Sequence, residues 1–470
     1  MEKQQFELNL SGSKNRFQNV LKKGDFSVFF EINTPTRDCD LPTVLSRLKA
    51  CTLVLEESEI FHTGFAITDK HNYPDRYNVL NFASELCPKD RDKHILFLSG
   101  REAGLEEMKE TIDACQSLGF TNIVPVSGGK LLDENLQDIR KVRFAESVDV
   151  LSHIKEKYKN DDILSGCVVN PFKYTPSDLF PQYHKLIKKL NLGADFIITQ
   201  VGWDLLKHQE LKWLLERREY YVPSLARILF LKPELIESII AGDYPGIHVS
   251  PDFLSMLRKE YRFGHTQFMA AQWRRIQLYA AGLHFLGYSG VVIAGIENSP
   301  EMKTAIDKIS EALKEFVNFN DWKEAYLNYL ARSEMAPYPY RFYAFRNLFK
   351  DAYVDIAKES RITLPGCSKL EKIKYLTAKK LSSGSFRKNG QMPFLLKKFL
   401  GGCLKCNSGS CHLAATHFIC PQLCPKGLRK GPCGDTKDDG SCELLNKECV
   451  HSKIFRIANW QKRLDFLEGE

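Results

Sequence analysis

Eight short apolar runs, each separated from the next by a longer segment, constrain this chain more than any other feature. The runs are Phe26–Ile32, Phe61–Ile67, His94–Ser99, Asn122–Val126, Gly166–Val169, Asp195–Gln200, Tyr221–Leu225 and Gly290–Gly295. They are rich in β-branched and aromatic residues, as strands are. The intervening segments carry helical periodicity. Glu106–Leu118 places Met108, Ile112, Cys115 and Leu118 on one face. Leu179–Leu190, Leu206–Arg217, Pro233–Ile240, Gln267–Leu286 and Glu301–Phe316 read the same way. Eight strands alternating with helices predict an α/β fold, a parallel (β/α)8 TIM barrel. A doubly wound open sheet is the rival. The first strand lacks a GxGxxG turn, which counts against a dinucleotide-binding sheet.

Past residue 320 the pattern changes. Tyr326–Tyr353 is crowded with aromatics, including Tyr338, Tyr340, Phe342, Tyr343, Phe345 and Phe349. It predicts a helix packed on the barrel or on the next module. Ser382–Gln391 has linker composition. The chain therefore divides into an N-terminal extension (1–24), a barrel (25–320), a helical connector with a basic linker (321–400) and a cysteine-rich module (401–470). No run of about 18 uncharged apolar residues appears, so no membrane span is expected. Met1–Gly24 is polar and lacks the apolar stretch of a secretory signal, which predicts a cytoplasmic protein.

Eight of the fourteen cysteines fall between Cys403 and Cys449: Cys403, Cys406, Cys411, Cys420, Cys424, Cys433, Cys442 and Cys449. In a large chain without a signal, clustered cysteines read as metal ligands rather than disulfides. Glycines and prolines between them favour tight turns, which lets thiolates converge without a large core. Two structural zinc sites and two iron–sulfur clusters, [4Fe-4S] in type, both suit eight ligands, and the spacing does not separate them. Net charge is +8, yet Lys372 to Gly434 holds twelve Lys or Arg and no Asp or Glu. Such lysines offset the charge of thiolate sites and steer an acidic electron carrier toward them. Nothing resembles a specific nucleic-acid motif.

Two residues in the strands carry chemistry. Glu31 interrupts the apolar strand Phe26–Ile32; at the end of a barrel's first strand it faces the catalytic mouth. Burial raises a carboxyl's pKa and makes it a proton donor near neutrality. Gln200 ends the sixth run, where its amide offers a heterocycle one donor and one acceptor.

Phe30-Glu31 with Pro35, Gly193-Ala194-Asp195-Phe196-Ile197-Ile198-Thr199-Gln200, Gly64–Asp69, Leu98–Glu102 and Gly290–Asn298 together resemble the methylenetetrahydrofolate reductase family over about residues 25–315. The run from Cys403 through Cys420-Pro421, Cys424-Pro425-Lys426-Gly427 and Gly431-Pro432-Cys433-Gly434 to Cys442-Glu443 resembles that family's cysteine-rich C-terminal domain.

The resemblance implies a barrel holding a flavin, FAD or FMN, that exchanges hydride with the one-carbon unit of a tetrahydrofolate substrate. Glu31 matches the family's acid. Gln200 matches a residue that contacts flavin and folate. Lys188 and Lys189 match a basic pair near the flavin phosphate, and Val168, Asn170 and Tyr174 match flavin-lining positions. The donor implied is NADH or NADPH directly, or a ferredoxin or other electron-transfer protein through the module; an oligomer is also compatible. One position departs. Where the family has an Asp after the fourth strand, this chain has Gly129, with Asp69 and Asp204 as candidate substitutes. That departure keeps two alternatives in view: a divergent flavin barrel serving another one-carbon or redox partner, and a zinc-stabilised docking subunit without catalysis.

Overall fold

The computed structural model describes residues 15–69, 75–131, 134–158, 163–244, 246–330, 333–338, 341–350, 357–360, 366–383, 394–404 and 411–468. Its centre is a closed barrel of eight parallel strands in sequence order. These are β1 (Ser27–Asn33), β2 (His62–Thr68), β3 (Ile95–Ser99), β4 (Asn122–Val126), β5 (Leu164–Val169), β6 (Phe196–Thr199), β7 (Ser224–Leu229) and β8 (Gly290–Ala294). Closure comes from β8 pairing with β1, Ser27 opposite Gly290 through Phe30 opposite Ile293. The open-sheet rival is thereby excluded.

All eight strands were legible as apolar runs, but the seventh was placed three residues early. Pro223 cannot donate to a ladder, so pairing starts at Ser224. The strand then runs on through Arg227, whose charge disguised it as a strand end.

Side chains alternate along each strand, and this decides what reaches the barrel mouth. Phe29, Phe196, Ile198 and Leu225 belong to the cluster filling the barrel interior. Two residues beyond them stand Glu31, Gln200 and Arg227, which share the inward direction one layer nearer the C-terminal end. The opposite end is closed by the helix Arg16–Lys23, capped by Asn15. Its Phe17 is fully buried, edge-on to Phe29 (4.9 Å) and Phe196 (5.5 Å).

The connector begins as a helix, Phe319–Leu330, whose Trp322 is fully buried and donates from Nε1 to the Leu278 carbonyl at 2.7 Å. Gly282 makes room, since a Cβ there would lie 2.1 Å from the indole. The aromatic stretch that follows is not the expected helix among the described residues. Pro337 and Pro339 lack the N–H groups a helix needs. The aromatics pack on the barrel as a strap instead, with Phe345 edge-on to Trp213 at 5.5 Å. Most of the predicted linker lies outside the described residues.

The cysteine module is built from turns, a short 3-10 segment at Pro421–Leu423 and one helix, Val450–Trp460. It docks on the barrel helix Pro176–Asn191, where Phe455 stacks on Phe180 with centroids 6.0 Å apart. Covered by barrel on one side and module on the other, that helix buries even its polar residues Asp178, Gln182, His184, Lys185, Lys188 and Lys189. No helix among the described residues is long and apolar enough to cross a membrane.

Candidate functional site

At the C-terminal ends of the strands lies a cavity of about 240 Å³, where barrel enzymes place their chemistry. Its floor holds an ion pair. Arg227 donates from Nε to Glu31 Oε2 at 2.7 Å and from Nη2 to Oε1 at 2.6 Å. Its remaining Nη1 donates to Gln200 Oε1 at 2.6 Å. Glu31 is only 4% exposed. The expected solitary acid is therefore one half of a bidentate pair with Arg227 of β7, which also holds Gln200 at the end of β6. Periodicity hid Arg227 because β7 had been ended at Leu225.

One wall is the loop after β4. Gly129 lines the cavity, and a Cβ built on it meets nothing within 4 Å. Arg101, 2% exposed, ties this loop down through the Gly129 carbonyl (3.0 Å) and Glu134 (2.7 Å). Of the two candidate substitutes for the missing Asp, Asp69 lines the cavity and accepts from the Ser99 N–H at 3.3 Å. Asp204 lies elsewhere, held by the hydroxyls of Tyr174 (2.9 Å) and Tyr343 (2.7 Å).

The opposite wall comes from the helix Pro176–Asn191, which presents Gln182, Lys185, Leu186 and Lys189 to the cavity. These positions share one helical face, so the spacing from Lys189 back to Gln182 was a usable signal. Gln182 Nε2 is buried without a hydrogen-bond partner. Lys189 donates to the Val168 carbonyl at 2.9 Å.

Burial lowers both Lys188 and Lys189 to about 8 from the ordinary 10.5. Unfolded, each lysine keeps its proton to near 10.5; folded, each releases it near 8. Between those values the unfolded chain holds more protons, so the lysines' contribution to stability rises with pH. Lys189→Met should flatten that rise. The difference in urea midpoint between variant and parent, followed from pH 7.5 to 10, isolates it from the titrating thiols; an unchanged difference would contradict the shift.

The third wall belongs to the C-terminal module. Pro432, Cys433, Gly434 and Asp435 line the cavity beside Asn170 and Gln200. The barrel grips this loop by its carbonyls. Asn170 Nδ2 donates to Gly434 O (2.9 Å), Lys185 Nζ to Pro432 O (2.8 Å), and Lys173 Nζ to Thr436 O (2.8 Å). Glu146 accepts from the backbone N–H groups of Arg429 and Lys430. Gly434 stands at φ +99°, a conformation that suits glycine.

Cys433 Sγ and carboxylate oxygens of Asp435 and Glu443 lie within 4.8 Å of one another, a grouping able to hold a metal ion. The buried Lys426 ammonium sits among them, 2.6 Å from Asp435 and 2.5 Å from Glu443. Cys424 is within electrostatic reach of Cys433, Cys442 and Cys449. Burial pushes the Cys449 thiol up to about 12 and raises the Cys433 thiol well above the usual thiol range. A bound metal cation is what would let such thiols ionise. Cys403 and Cys420 are both buried, and the Cys420 N–H is bonded at 2.8 Å to the carbonyl of Gly401, two residues before Cys403. Cys411 is exposed, and Cys406 lies outside the described residues.

Of the residues expected at the site, Val168, Asn170, Lys189 and Gln200 line the cavity and Glu31 lies beneath Arg227. Two do not reach it. Lys188 is turned toward Glu146 and Lys430, and Tyr174 is bonded to Asp204. Arg227, Lys185, Gln182 and Asp435 were not anticipated.

A closed parallel barrel with a polar cavity at its C-terminal face, sealed along one side by a cysteine module, defines a two-part α/β protein. Residues 16–232 match the family Methylenetetrahydrofolate reductase, and residues 388–469 match Methylene-tetrahydrofolate reductase C terminal. The chain carries a methylenetetrahydrofolate reductase domain and that family's C-terminal domain in one polypeptide. Among solved structures, an uncharacterized protein from Clostridium thermocellum that binds two copies of 5-methyl-5,6,7,8-tetrahydrofolic acid is similar at 11% identity, with a TM-score of 0.45 over 64% of this chain and 99% of that one. No curated protein matches the chain.

Proposed function

We propose that this chain is a flavin-dependent oxidoreductase of the methylenetetrahydrofolate reductase type, interconverting methylenetetrahydrofolate and methyltetrahydrofolate, with electrons reaching the barrel through the C-terminal module. The observation that carries the reading is Cys433 in the cavity wall. A metal-ligating thiol within the barrel's own cavity has no purpose in a module that serves only to stabilise the fold.

The residues present fit a flavin. Gln182 supplies an unpartnered buried amide donor, Gln200 an amide at the floor, and Lys185 and Lys189 positive charge along one wall. Bound there, a reduced flavin supplies the hydride. The chain's own residues do the rest. Arg227 fixes Gln200 and Glu31 in one plane. Glu31 handles the proton of ring opening or closure, for which substrate must draw it out of the Arg227 fork. The Gly431–Asp435 loop keeps water from one side of the cavity.

Among the described cysteines, Cys433, Cys442 and Cys449, all within electrostatic reach of Cys424, make one ligand set with it; the module's other thiols, Cys403, Cys406, Cys411 and Cys420, are left for a second. Four thiolates each suit a [4Fe-4S] cluster, whose chemistry is one-electron transfer; zinc in either set would confine that set to structure. Anaerobic purification with flavin, iron and zinc analysis, followed by methyltetrahydrofolate oxidation with a dye acceptor, tests the whole reading. A flavin-free protein without turnover would defeat it.

A second reading, a flavin barrel that serves another one-carbon or redox partner, is favoured by Gly129. An aspartate there would restore a charge-assisted anchor worth roughly 1.5–3 kcal/mol for a pterin amino edge. The open space at Gly129 accommodates it. Gly129→Asp should tighten tetrahydrofolate binding by about tenfold or more in calorimetry. An affinity that does not change would favour the second reading.

A further inference from the structure

We infer that the face formed by the helices Lys369–Ser383 and Phe394–Gly401, with Leu404, is a docking surface for an acidic electron-transfer protein. The inference rests on the electron-input reading above and names its entry point.

The face combines two features that soluble surfaces rarely carry together. Its apolar side chains stand in solvent: Leu395 is 76% exposed, Phe399 71%, and Leu370, Ile373, Leu376 and Leu404 more than half. The two helices pack against each other, and the Lys374 ammonium lies over the Phe399 ring at 5.5 Å, so these residues share one surface. Large apolar side chains left in solvent on two packed helices mark an interaction site.

The rim determines the partner. Lys372, Lys374, Lys379, Lys380, Lys397 and Lys398 lie on the same two helices. The one acid on them, Glu371, is committed to Arg456 at 2.6 Å. From Lys372 through Gly434 the sequence offers no further carboxylate. A positive rim around an apolar centre is the complement of an acidic protein surface.

The face also lies where electrons would enter. Helix Phe394–Gly401 runs directly into Gly402 and Cys403, with the Cys403 N–H bonded to the Lys397 carbonyl at 3.3 Å. The Leu423 side chain, next to Cys424, comes within 3.0 Å of a Cβ built on Gly402. A partner seated on Phe399 and Leu404 would therefore stand beside the first cysteine set, while Cys433 of the second set lines the barrel cavity.

The test uses the full chain purified without oxygen, with an acidic ferredoxin and an acidic flavodoxin as probes. Binding is read by interferometry at low and at physiological salt, against Lys374→Glu/Lys398→Glu and Leu395→Asp/Phe399→Asp. The expected result is binding of at least one carrier that weakens with salt and falls by about tenfold or more in each variant, with dye-linked turnover unchanged. Carriers that bind both variants as they bind the parent, or that do not bind the parent, would overturn the proposal. So would loss of binding to phosphatidylglycerol vesicles in the variants while carrier binding persists, which assigns the face to a membrane surface. Carrier binding lost in the variants of a chain that turns over no methyltetrahydrofolate would support the surface and defeat the folate reading alone.

Discussion

Replacing Arg227 with methionine is expected to destabilise the protein by about 3 kcal/mol, as a lowered midpoint in urea or thermal unfolding. Glu31 is 4% exposed, and both of its oxygens are taken by the guanidinium at 2.6 and 2.7 Å. Removing one member of such a pair strands the other in a poorly solvated layer of the barrel, which costs more than the pair itself contributes. The Arg227 side chain is 14% exposed, which places the effect at the lower end of the usual range. Gln200 loses its guanidinium donor as well and keeps only the Val201 N–H at 3.0 Å. The double variant Glu31→Gln/Arg227→Met should recover most of the loss, because a neutral amide has no charge left to compensate. Additive effects of the two single changes would show that the pair is not coupled. Activity adds a separate readout: Glu31→Gln alone should cut methyltetrahydrofolate turnover by about 100-fold or more if Glu31 handles the proton.

The second large effect is expected at Cys433. If Cys433 ligates a metal as proposed, Cys433→Ser should empty that site and lower turnover with a protein electron donor by at least about a hundredfold. Reaction with a small dye acceptor that reaches the cavity directly should persist. The reason is position: Cys433 lies in the cavity wall, and its loop is held by Asn170, Lys185 and Lys173 through backbone carbonyls the substitution leaves intact. Metal content and donor-linked turnover are measured on the same preparation. Full metal content with unchanged donor-linked turnover would remove Cys433 from the electron route. Loss of dye-linked activity as well would indicate that the serine disturbs the cavity rather than electron delivery.

The barrel was legible because its causes are local. Buried parallel strands must be short apolar runs, crossovers must be amphipathic helices, and both patterns survive in a single sequence. Glu31 and Gln200 were readable for a related reason. A polar residue at the end of an apolar strand has to face something other than core, and the barrel's mouth is where strand ends lie. The strand that carries Arg227 escaped the same test because the apolar run ends at Leu225, which leaves the charged residue outside it. The aromatic strap failed for a different reason: spacing suggested a helix that Pro337 and Pro339 forbid.

The lysines on the helix Pro176–Asn191 show the limit most clearly. In the sequence only the family resemblance gives Lys188 and Lys189 a role, beside a flavin phosphate, and nothing marks Lys185. In the structure Lys185 holds the Cys433 loop, Lys189 holds β5 at Val168, and Lys188 faces Glu146 and Lys430. The difference is the module packed on top, which no periodicity of that helix announces. By itself the sequence determined the elements, the strand-end chemistry and the presence of a thiol-rich module, because each follows from neighbours along the chain. Only the tertiary structure decided that Arg227 pairs with Glu31 across 196 positions and that Cys433 closes the barrel cavity. Those are contacts between residues whose separation is covalently long and spatially short, and burial alone reveals which partners they need.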